Sequence, residues 1–201
     1  KGFHSATVAD ICERASANIA AVNYYFRSKE GLYVEAWEHA FREALRAHPP
    51  DGGVGTDAPP ERQLTGTIRA LLQRIADPTN VSFPIAQKEF VNPTGLLREV
   101  MERNIGPLYK TVIRLVRTLI GPRASDQQVE FCTASIISQC LNPLVRLPAD
   151  GGYSSEMHRT TFDIEAYIEH VVQFSLAGMH AVRDGNQTTR RSRRNSGRKK
   201  P

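Results

Sequence analysis

The sequence is poor in cysteine and has no long apolar run, and both absences narrow the class of protein. Its 201 residues include three cysteines, Cys12, Cys132 and Cys140, with no CxxC pair. An odd, scattered set of thiols argues against a disulfide scaffold and a thiolate zinc site, so we expect a reducing, cytoplasmic setting. No apolar run approaches the ~18 residues of a membrane span. No signal peptide opens the chain, so we expect no membrane partner.

The sequence also lacks the motifs by which common enzymes are recognised. GxSxG, GxGxxG, P-loop and HExxH patterns are all missing. The six histidines form no HxxxH or Cys/His cluster, which predicts no metal site and no cofactor. Glu165 and Glu169, four residues apart, are typical of a solvated helix face. We therefore expect no catalytic residues and no enzyme activity.

The excess of positive charge is concentrated at the carboxyl terminus. The formal net charge is +5, but without the last seven cations it would be −2. These cations are Arg190, Arg191, Arg193, Arg194, Arg198, Lys199 and Lys200. The segment has no apolar residue to bury, which predicts disorder. It could attract nucleic-acid phosphates or simply solubilise the terminus, and the sequence favours neither.

The pattern of turns and helical periodicity divides the chain into four parts. Residues 1–47 are predicted to be compact, and residues 48–60 (HPPDGGVGTDAPP) to form a Pro/Gly-rich linker. Helical periodicity dominates residues 61–183. Residues 184–201 are predicted to form the basic disordered tail. Apolar residues recur on one helix face in sets that begin at Leu64, Leu108, Val129 and Ile164. No strand-like alternation occurs. The sequence therefore predicts an all-α fold.

Several residues predict where helices begin and end in the larger zone. Ser125 with Gln128 predicts a capping box. Pro93, Gly106-Pro107 and Gly121-Pro122 are expected to end or kink helices.

The first 47 residues predict a helix-turn-helix. Thr7 and Asp10 predict a capped helix through about Arg14, with Val8 and Ile11 inward. After a turn at residues 15–17, Asn18 caps a helix over 19–26, whose buried stripe we expect to be Ile19, Val22 and Phe26. A third helix then runs from Lys29 to about Ala47.

The remaining face of the second helix has side chains suited to a DNA major groove. Asn23 can pair with adenine, Tyr24 and Tyr25 can contact thymine methyl groups or the sugar–phosphate edge, and Ala20 and Ala21 permit close approach. Arg14, Arg27 and Lys29 lie nearby, with no acid between residues 14 and 29. The alternative from composition alone is that the tyrosines are core or interface aromatics and Asn23 is only solvated.

These residues form a recognisable signature. The signature consists of Gly2-Phe3, Thr7-Val8, Ile11, the run Asn18-Ile-Ala-Ala-Val-Asn-Tyr-Tyr-Phe26 and the run Ser28-Lys-Glu-Gly-Leu-Tyr33. It resembles the DNA-binding domain of TetR-family regulators. NYYF followed by KEGLY is most similar to the CecR-like subgroup. The resemblance implies that the family's first helix lies upstream of Gly2, so we expect incomplete cover of the domain's apolar face in this chain.

The resemblance also implies residue roles. Thr7 would contact the DNA backbone, and Asn18 would cap the recognition helix. Lys29 would bind a phosphate. The DNA-facing residues would be Ala20, Ala21, Asn23, Tyr24 and Tyr25. Ser16 and Ala20 stand where the family usually has glycine.

For the carboxyl-terminal zone, the resemblance implies a helical ligand-binding and dimerisation domain. Helices near 125–146 and 163–183 would pair with those of a second subunit in a four-helix bundle. Polar and apolar candidates for an effector site are Gln87, Phe90, Met101, Tyr109, Gln139 and Asn142. Glu89, Asn92 and Arg98 are further polar candidates, although for each of these nine residues the favoured interpretation is a solvated or interface residue.

Two functions follow. The first is a ligand-responsive transcriptional repressor that binds a palindromic double-stranded DNA operator as a homodimer and responds to an unknown small-molecule effector. The alternative is a helical ligand-binding or interaction protein without specific DNA binding, which contacts nucleic acid only through its basic tail.

Overall fold

The computed structural model describes residues 2–146 and 163–196, and within them it contains eight helices and no strand. This confirms the all-α prediction. The helices are α1 Val8–Ala15, α2 Ile19–Phe26, α3 Lys29–Ala47, α4 Pro60–Ala76, α5 Ser82–Val91, α6 Arg98–Ile120, α7 Asp126–Arg146 and α8 Ile164–Ser196.

Both predicted capping boxes are present. The Asp10 amide donates to Thr7 Oγ1 at 3.1 Å, while the Thr7 amide donates to the Asp10 carboxylate at 2.9 Å. At the start of α7, the Ser125 amide donates to Gln128 Oε1 at 3.0 Å and the Gln128 amide to Ser125 Oγ at 3.2 Å. Each box satisfies amides that have no partner inside the helix.

The helix-ending signals hold at two of the three predicted places. α5 ends at Val91, two residues before Pro93, and α6 ends at Ile120, followed by Gly121 with a left-handed φ of 82°. No helix ends at Gly106-Pro107, because α6 continues through Pro107, and a kink at this position stays a prediction. Proline removes one amide donor, but its fixed φ is compatible with a helix, and the hydrogen bonds on either side can maintain it.

The chain divides into two compact units, of which the first comprises Lys1–Ala47 and Pro78–Gly106. Its buried apolar residues include Val22, Trp37, Phe41 and Val100. α5 packs on α3, where the indole Nε1 of Trp37 donates to the Ser82 carbonyl at 3.2 Å. Burial of large aromatic side chains of α3 therefore anchors the segment 78–106 to the first three helices.

The second unit comprises His48–Asp77 and Pro107–Pro201. α4, α7 and α8 pack against one another, and together with the second half of α6 they enclose a continuous apolar core. Two polar contacts align α7 and α8: Tyr167 Oη donates to the Gln139 carbonyl at 2.8 Å, and Gln128 Nε2 donates to Asn186 Oδ1 at 3.1 Å. Early residues of one helix meet late residues of the other, so the two helices are antiparallel.

The predicted domain boundaries differ from this division in two places. Segment 78–106 belongs to the unit of the first three helices, although the periodicity assigned it to the carboxyl-terminal domain. α8 continues to Ser196, beyond the predicted start of a disordered tail at residue 184. No proline lies between residues 164 and 196, and arginine has a high helix propensity. Arg198, Lys199 and Lys200 lie outside the described residues.

None of the helices in residues 2–146 and 163–196 combines the length and apolar character needed to cross a bilayer. In the same part of the chain, no three His, Cys, Asp or Glu residues are grouped so that they could hold a metal ion.

Candidate nucleic-acid interface

The turn between α1 and α2 is held by backbone geometry and one side-chain cap. Ser16 is in the left-handed conformation with φ 51° and ψ 39°, and its amide bonds the carbonyls of Cys12 and Glu13. Asn18 Oδ1 then accepts from the Ala20 amide at 2.8 Å, which confirms Asn18 as the cap of α2. The resemblance expects glycine at position 16, and the left-handed backbone conformation found there favours glycine.

α2 presents the five predicted DNA-facing residues to solvent. Ala20, Ala21, Asn23, Tyr24 and Tyr25 are all exposed, with 80% of Tyr24 and 73% of Tyr25 accessible. The two rings contact each other edge to face, with centroids 5.1 Å apart. In this structure the tyrosines therefore form a surface pair, and the alternative in which they belong to the core does not apply to this unit.

The predicted buried stripe of α2 is only partly correct. Val22 is buried and Phe26 is half-buried, but Ile19 is 47% exposed. Ile19 is the first residue of the helix, and helical side chains lean toward the preceding turn, so it projects beyond the packed part of α2.

Lys29 is held in place by the segment before α1. Its ammonium donates to the carbonyls of Phe3 and Ala6, each at 3.1 Å, and lies 4.4 Å from the centroid of the Phe3 ring. The Phe3 ring also packs against Tyr33 at 4.9 Å. These contacts join residues 3–6 to the first turn of α3. A lysine predicted to bind phosphate therefore also has a structural role.

The charge near α2 is unbalanced in favour of cations. Arg14, Arg27 and Lys29 flank α2 in the sequence, whereas the nearest acids, Glu13 and Glu30, lie just outside the 14–29 stretch. At the start of α3, hydrogen bonds from the Glu30 backbone amide and the Ser28 hydroxyl lower the pKa of Glu30. Thr7 is also exposed, at the amino-terminal end of α1.

A buried carboxylate of α5 has a structural role that the sequence-based interpretation did not assign to it. Glu89 of α5 accepts from the Thr94 amide at 3.0 Å, the Thr94 hydroxyl at 2.9 Å and the Gly95 amide at 2.9 Å. It also lies 3.4 Å from the Tyr33 hydroxyl of α3. Glu89 was a candidate for effector binding, but these partners make it a link between α3 and the loop after α5. Burial and the Glu89 charge raise the pKa of Tyr33.

The six effector candidates are distributed over both units. Gln87, Phe90 and Met101 belong to the first unit and Tyr109, Gln139 and Asn142 to the second. Gln87, Phe90, Tyr109 and Asn142 are exposed, while Met101 and Gln139 are half-buried. Gln139 Nε2 donates to the Ser135 carbonyl at 3.1 Å. That these residues line one effector site stays a prediction.

α7 and α8 each expose a large aromatic side chain. Phe131 of α7 and Phe174 of α8 are both more than half accessible. The His170 and Phe174 rings stack with centroids 5.9 Å apart, and the small residues Ala177 and Gly178 follow on the exposed side of α8.

Comparison with known proteins gives a consistent result. Residues 1–36 match the family model for bacterial regulatory proteins of the tetR family, and residues 60–179 match the model for the C-terminal domain of the HTH-type transcriptional dual regulator CecR. The HTH-type transcriptional dual regulator CecR of Shigella flexneri is 30% identical over 151 residues, which span 68% of this chain and 66% of that relative.

A solved structure of a Pseudomonas aeruginosa PAO1 protein, proposed to be a transcriptional regulator, matches with a TM-score of 0.68. The match covers 90% of this chain and 83% of that one at 17% identity, so it supports the fold alone.

Proposed function

The chain belongs to the TetR family of transcriptional regulators and is CecR-like in its carboxyl-terminal domain, and on this basis we propose that it is a ligand-responsive repressor that binds a palindromic operator as a homodimer. In this proposal α2 enters the major groove. Thr7 and Lys29 contact the phosphate backbone, and Ala20, Ala21, Asn23, Tyr24 and Tyr25 face the bases.

The observation that carries the proposal is the exposed face of α2. This helix of eight residues exposes two tyrosines and an asparagine, although burial of an aromatic ring, and not its exposure to water, would stabilise the fold. Asn23 can form a bidentate pair with adenine, and each good pair of this kind contributes about 1–3 kcal/mol of discrimination. The surrounding cations supply the attraction to phosphate that does not depend on sequence.

A homodimer would give this short helix its affinity. Phe131 and Phe174 would be buried against the same face of a second copy, because a two-fold interface uses one surface patch of both subunits. Two α2 helices related by that axis would read two halves of an inverted repeat. An effector bound in the helical domain would favour a state of the dimer in which the two α2 helices no longer match the repeat.

The test of DNA recognition is selection of binding sites from a random duplex library at moderate salt. We expect the full chain and a variant truncated after Thr189 to enrich the same inverted repeat, because α2 reads the sequence and the basic segment adds only non-specific attraction. Loss of all DNA binding on truncation, with no effect of Asn23→Ala, would support the alternative in which only the basic tail contacts nucleic acid.

The test of the dimer uses two equivalent substitutions on exposed phenylalanines. Phe131→Glu on α7 should shift the mass in light scattering at micromolar concentration from dimer to monomer, because a buried unpaired carboxylate is costly. Phe90→Glu, on the still more exposed Phe90 of α5, should leave the mass unchanged. A monomeric mass for the unsubstituted chain would exclude the homodimer.

A further inference from the structure

The described part of the chain contains six buried polar or charged residues, and four of them have partners within the protein. Arg74 donates to the His48 carbonyl, Asn80 and Ser82 bond each other, and Glu89 accepts from the loop after α5. The remaining two are Thr133 of α7 and Ser175 of α8, whose hydroxyl oxygens have no hydrogen-bond partner. Buried hydroxyls are normally bonded, so these two need an explanation.

Both hydroxyls lie on the core-facing stripe of their helices. Thr133 is fully buried, four residues after Val129 and three before Ile136, which both belong to the apolar core. Ser175 is 6% exposed and lies four residues from both Val171 and Met179 of the same core. Residues three and four apart share a helix face, so both side chains project into the core of the second unit.

The two hydroxyls also lie at a similar height along the antiparallel pair. Both fall between the Tyr167–Gln139 contact and the Gln128–Asn186 contact. Thr133 is about midway between residues 128 and 139, and Ser175 is about midway between residues 167 and 186, so both hydroxyls lie in the middle stretch of the α7–α8 pair.

The surroundings of the hydroxyls restrict what could bind them. The side chains that build this core are apolar, and burying an ionic group among them would be costly without a counter-charge. Met179, one turn after Ser175, is buried and belongs to this core. A methionine side chain is flexible enough to repack around an inserted group.

We propose that Thr133 and Ser175 form the polar end of a buried effector site for an uncharged, mainly apolar small molecule with one hydroxyl or carbonyl group. This site would bind the effector of the proposed ligand-responsive repressor, so its role in regulation rests on that proposed function. The hydroxyls orient the ligand by hydrogen bonds, and the apolar core between α4, α7 and α8 supplies the rest of the contact.

Two probes of nearly equal shape test the proposed chemistry in the full chain. 1-Naphthol carries a hydroxyl where 1-methylnaphthalene carries a methyl group, and 1-naphthoate adds a charge. We expect 1-naphthol to bind roughly threefold to tenfold more tightly than 1-methylnaphthalene, as one or two buried hydrogen bonds would give. 1-Naphthoate should bind most weakly. Intrinsic fluorescence and thermal shift measure all three.

Two substitutions connect this preference to the named residues. Thr133→Val and Ser175→Ala should each reduce the preference for 1-naphthol, and the pair together should abolish it, while Thr133→Ser should retain it. Without any probe, Thr133→Val should unfold at the same or a higher temperature, because it removes a buried hydroxyl without a partner. A clear loss of stability would mean that the hydroxyl is already satisfied, and would overturn the proposal.

Operator binding, measured in parallel, separates this proposal from the function on which it rests. Operator binding without discrimination between 1-naphthol and 1-methylnaphthalene would overturn the site and leave the DNA-binding function intact. Discrimination that disappears in Thr133→Val/Ser175→Ala would support the site even if the chain bound no operator.

Discussion

The hydroxyl of Tyr33 lies 3.4 Å from the carboxylate of Glu89, and this pair joins α3 to α5 within the first unit. The same carboxylate accepts from the amides of Thr94 and Gly95 in the loop that follows α5. Only two residues separate the end of α2 from the start of α3, so Tyr33 lies just beyond the helix proposed to read DNA. One buried carboxylate therefore holds both the loop and the helix that follows α2.

Glu89→Gln should destabilise the protein, since glutamine removes the negative charge from the bonds to Oε1 and places an NH2 group where Glu89 Oε2 accepts from the hydroxyls of Tyr33 and Thr94. We expect a loss of about 1–3 kcal/mol in the free energy of unfolding, typical of breaking buried charge-assisted bonds. Glu102→Gln, the same change at an exposed position of α6, should stay within about 0.5 kcal/mol. Equal effects of the two changes in urea denaturation would mean that the buried network adds nothing.

Tyr33 should make stability fall at alkaline pH. Burial and the charge of Glu89 raise the pKa of Tyr33. Its ionisation therefore favours the unfolded chain. The stabilising contribution is fully present below about pH 10, the ordinary tyrosine pKa, and is lost as pH rises through the higher folded-state value. The stability difference between the natural chain and Tyr33→Phe should thus shift in favour of Tyr33→Phe between pH 9 and 11.5.

The control for this measurement is the same comparison in a Glu89→Gln background. Because the Glu89 charge is one cause of the raised pKa, the alkaline change should be smaller there. An alkaline change of equal size in both backgrounds would show that Glu89 does not act on Tyr33.

Ser16→Gly should stabilise the turn before α2. Ser16 has φ 51°, a left-handed conformation that costs a residue with a Cβ roughly 1–2 kcal/mol. Glycine avoids this cost but loses more chain entropy on folding, so we expect a net gain of about 0.5–1 kcal/mol. Ala9→Gly, at an exposed position inside α1, should lose a similar amount. A lower unfolding temperature for both variants than for the unsubstituted chain would contradict this prediction.

The features that the sequence predicted well depend on neighbouring residues. Capping boxes, the Asn18 cap, the start of α3 at Lys29 and the outward face of α2 are all set by side chains within four residues of one another. The helix ends at Val91 and Ile120 likewise follow from local signals, a proline two residues after Val91 and a glycine directly after Ile120. Such local signals can be recognised without knowledge of the tertiary structure.

The features that were missed depend on distant parts of the chain. α4 shows one apolar stripe in the sequence, yet Gly66, Ala70 and Arg74 on another face are also buried. Asp51 and Val54 of the preceding loop lie over Gly66, and the His48 carbonyl accepts from Arg74 at 2.8 Å. Burial lowers the pKa of Arg74 to about 10. Periodicity alone does not reveal a loop that returns to cover a second face.

Gly66→Ala should therefore disrupt this second interface. A Cβ at Gly66 would overlap the Asp51 carbonyl oxygen and lie 2.8 Å from Val54 Cγ2. We expect a loss of about 1–3 kcal/mol from overpacking, despite the higher helix propensity of alanine. Gly185→Ala in α8 has open space around the new Cβ and should gain about 0.5–1 kcal/mol. Stabilisation by both changes would show that the loop does not hold its position over α4.

Lys29 and Asn23 should differ in how they contribute to operator binding. Lys29 bonds two carbonyls, and an ammonium has three donors, so one donor can still reach a phosphate. Lys29→Ala should weaken binding to every operator variant and reduce the slope of log K against log salt by about 1. Asn23→Ala should leave that slope unchanged and relax selectivity at one base pair by about 1–3 kcal/mol.

A uniform loss of affinity in Lys29→Ala, without a change of the salt slope, would show that Lys29 only positions residues 3–6. Unchanged selectivity in Asn23→Ala would remove that residue from base recognition.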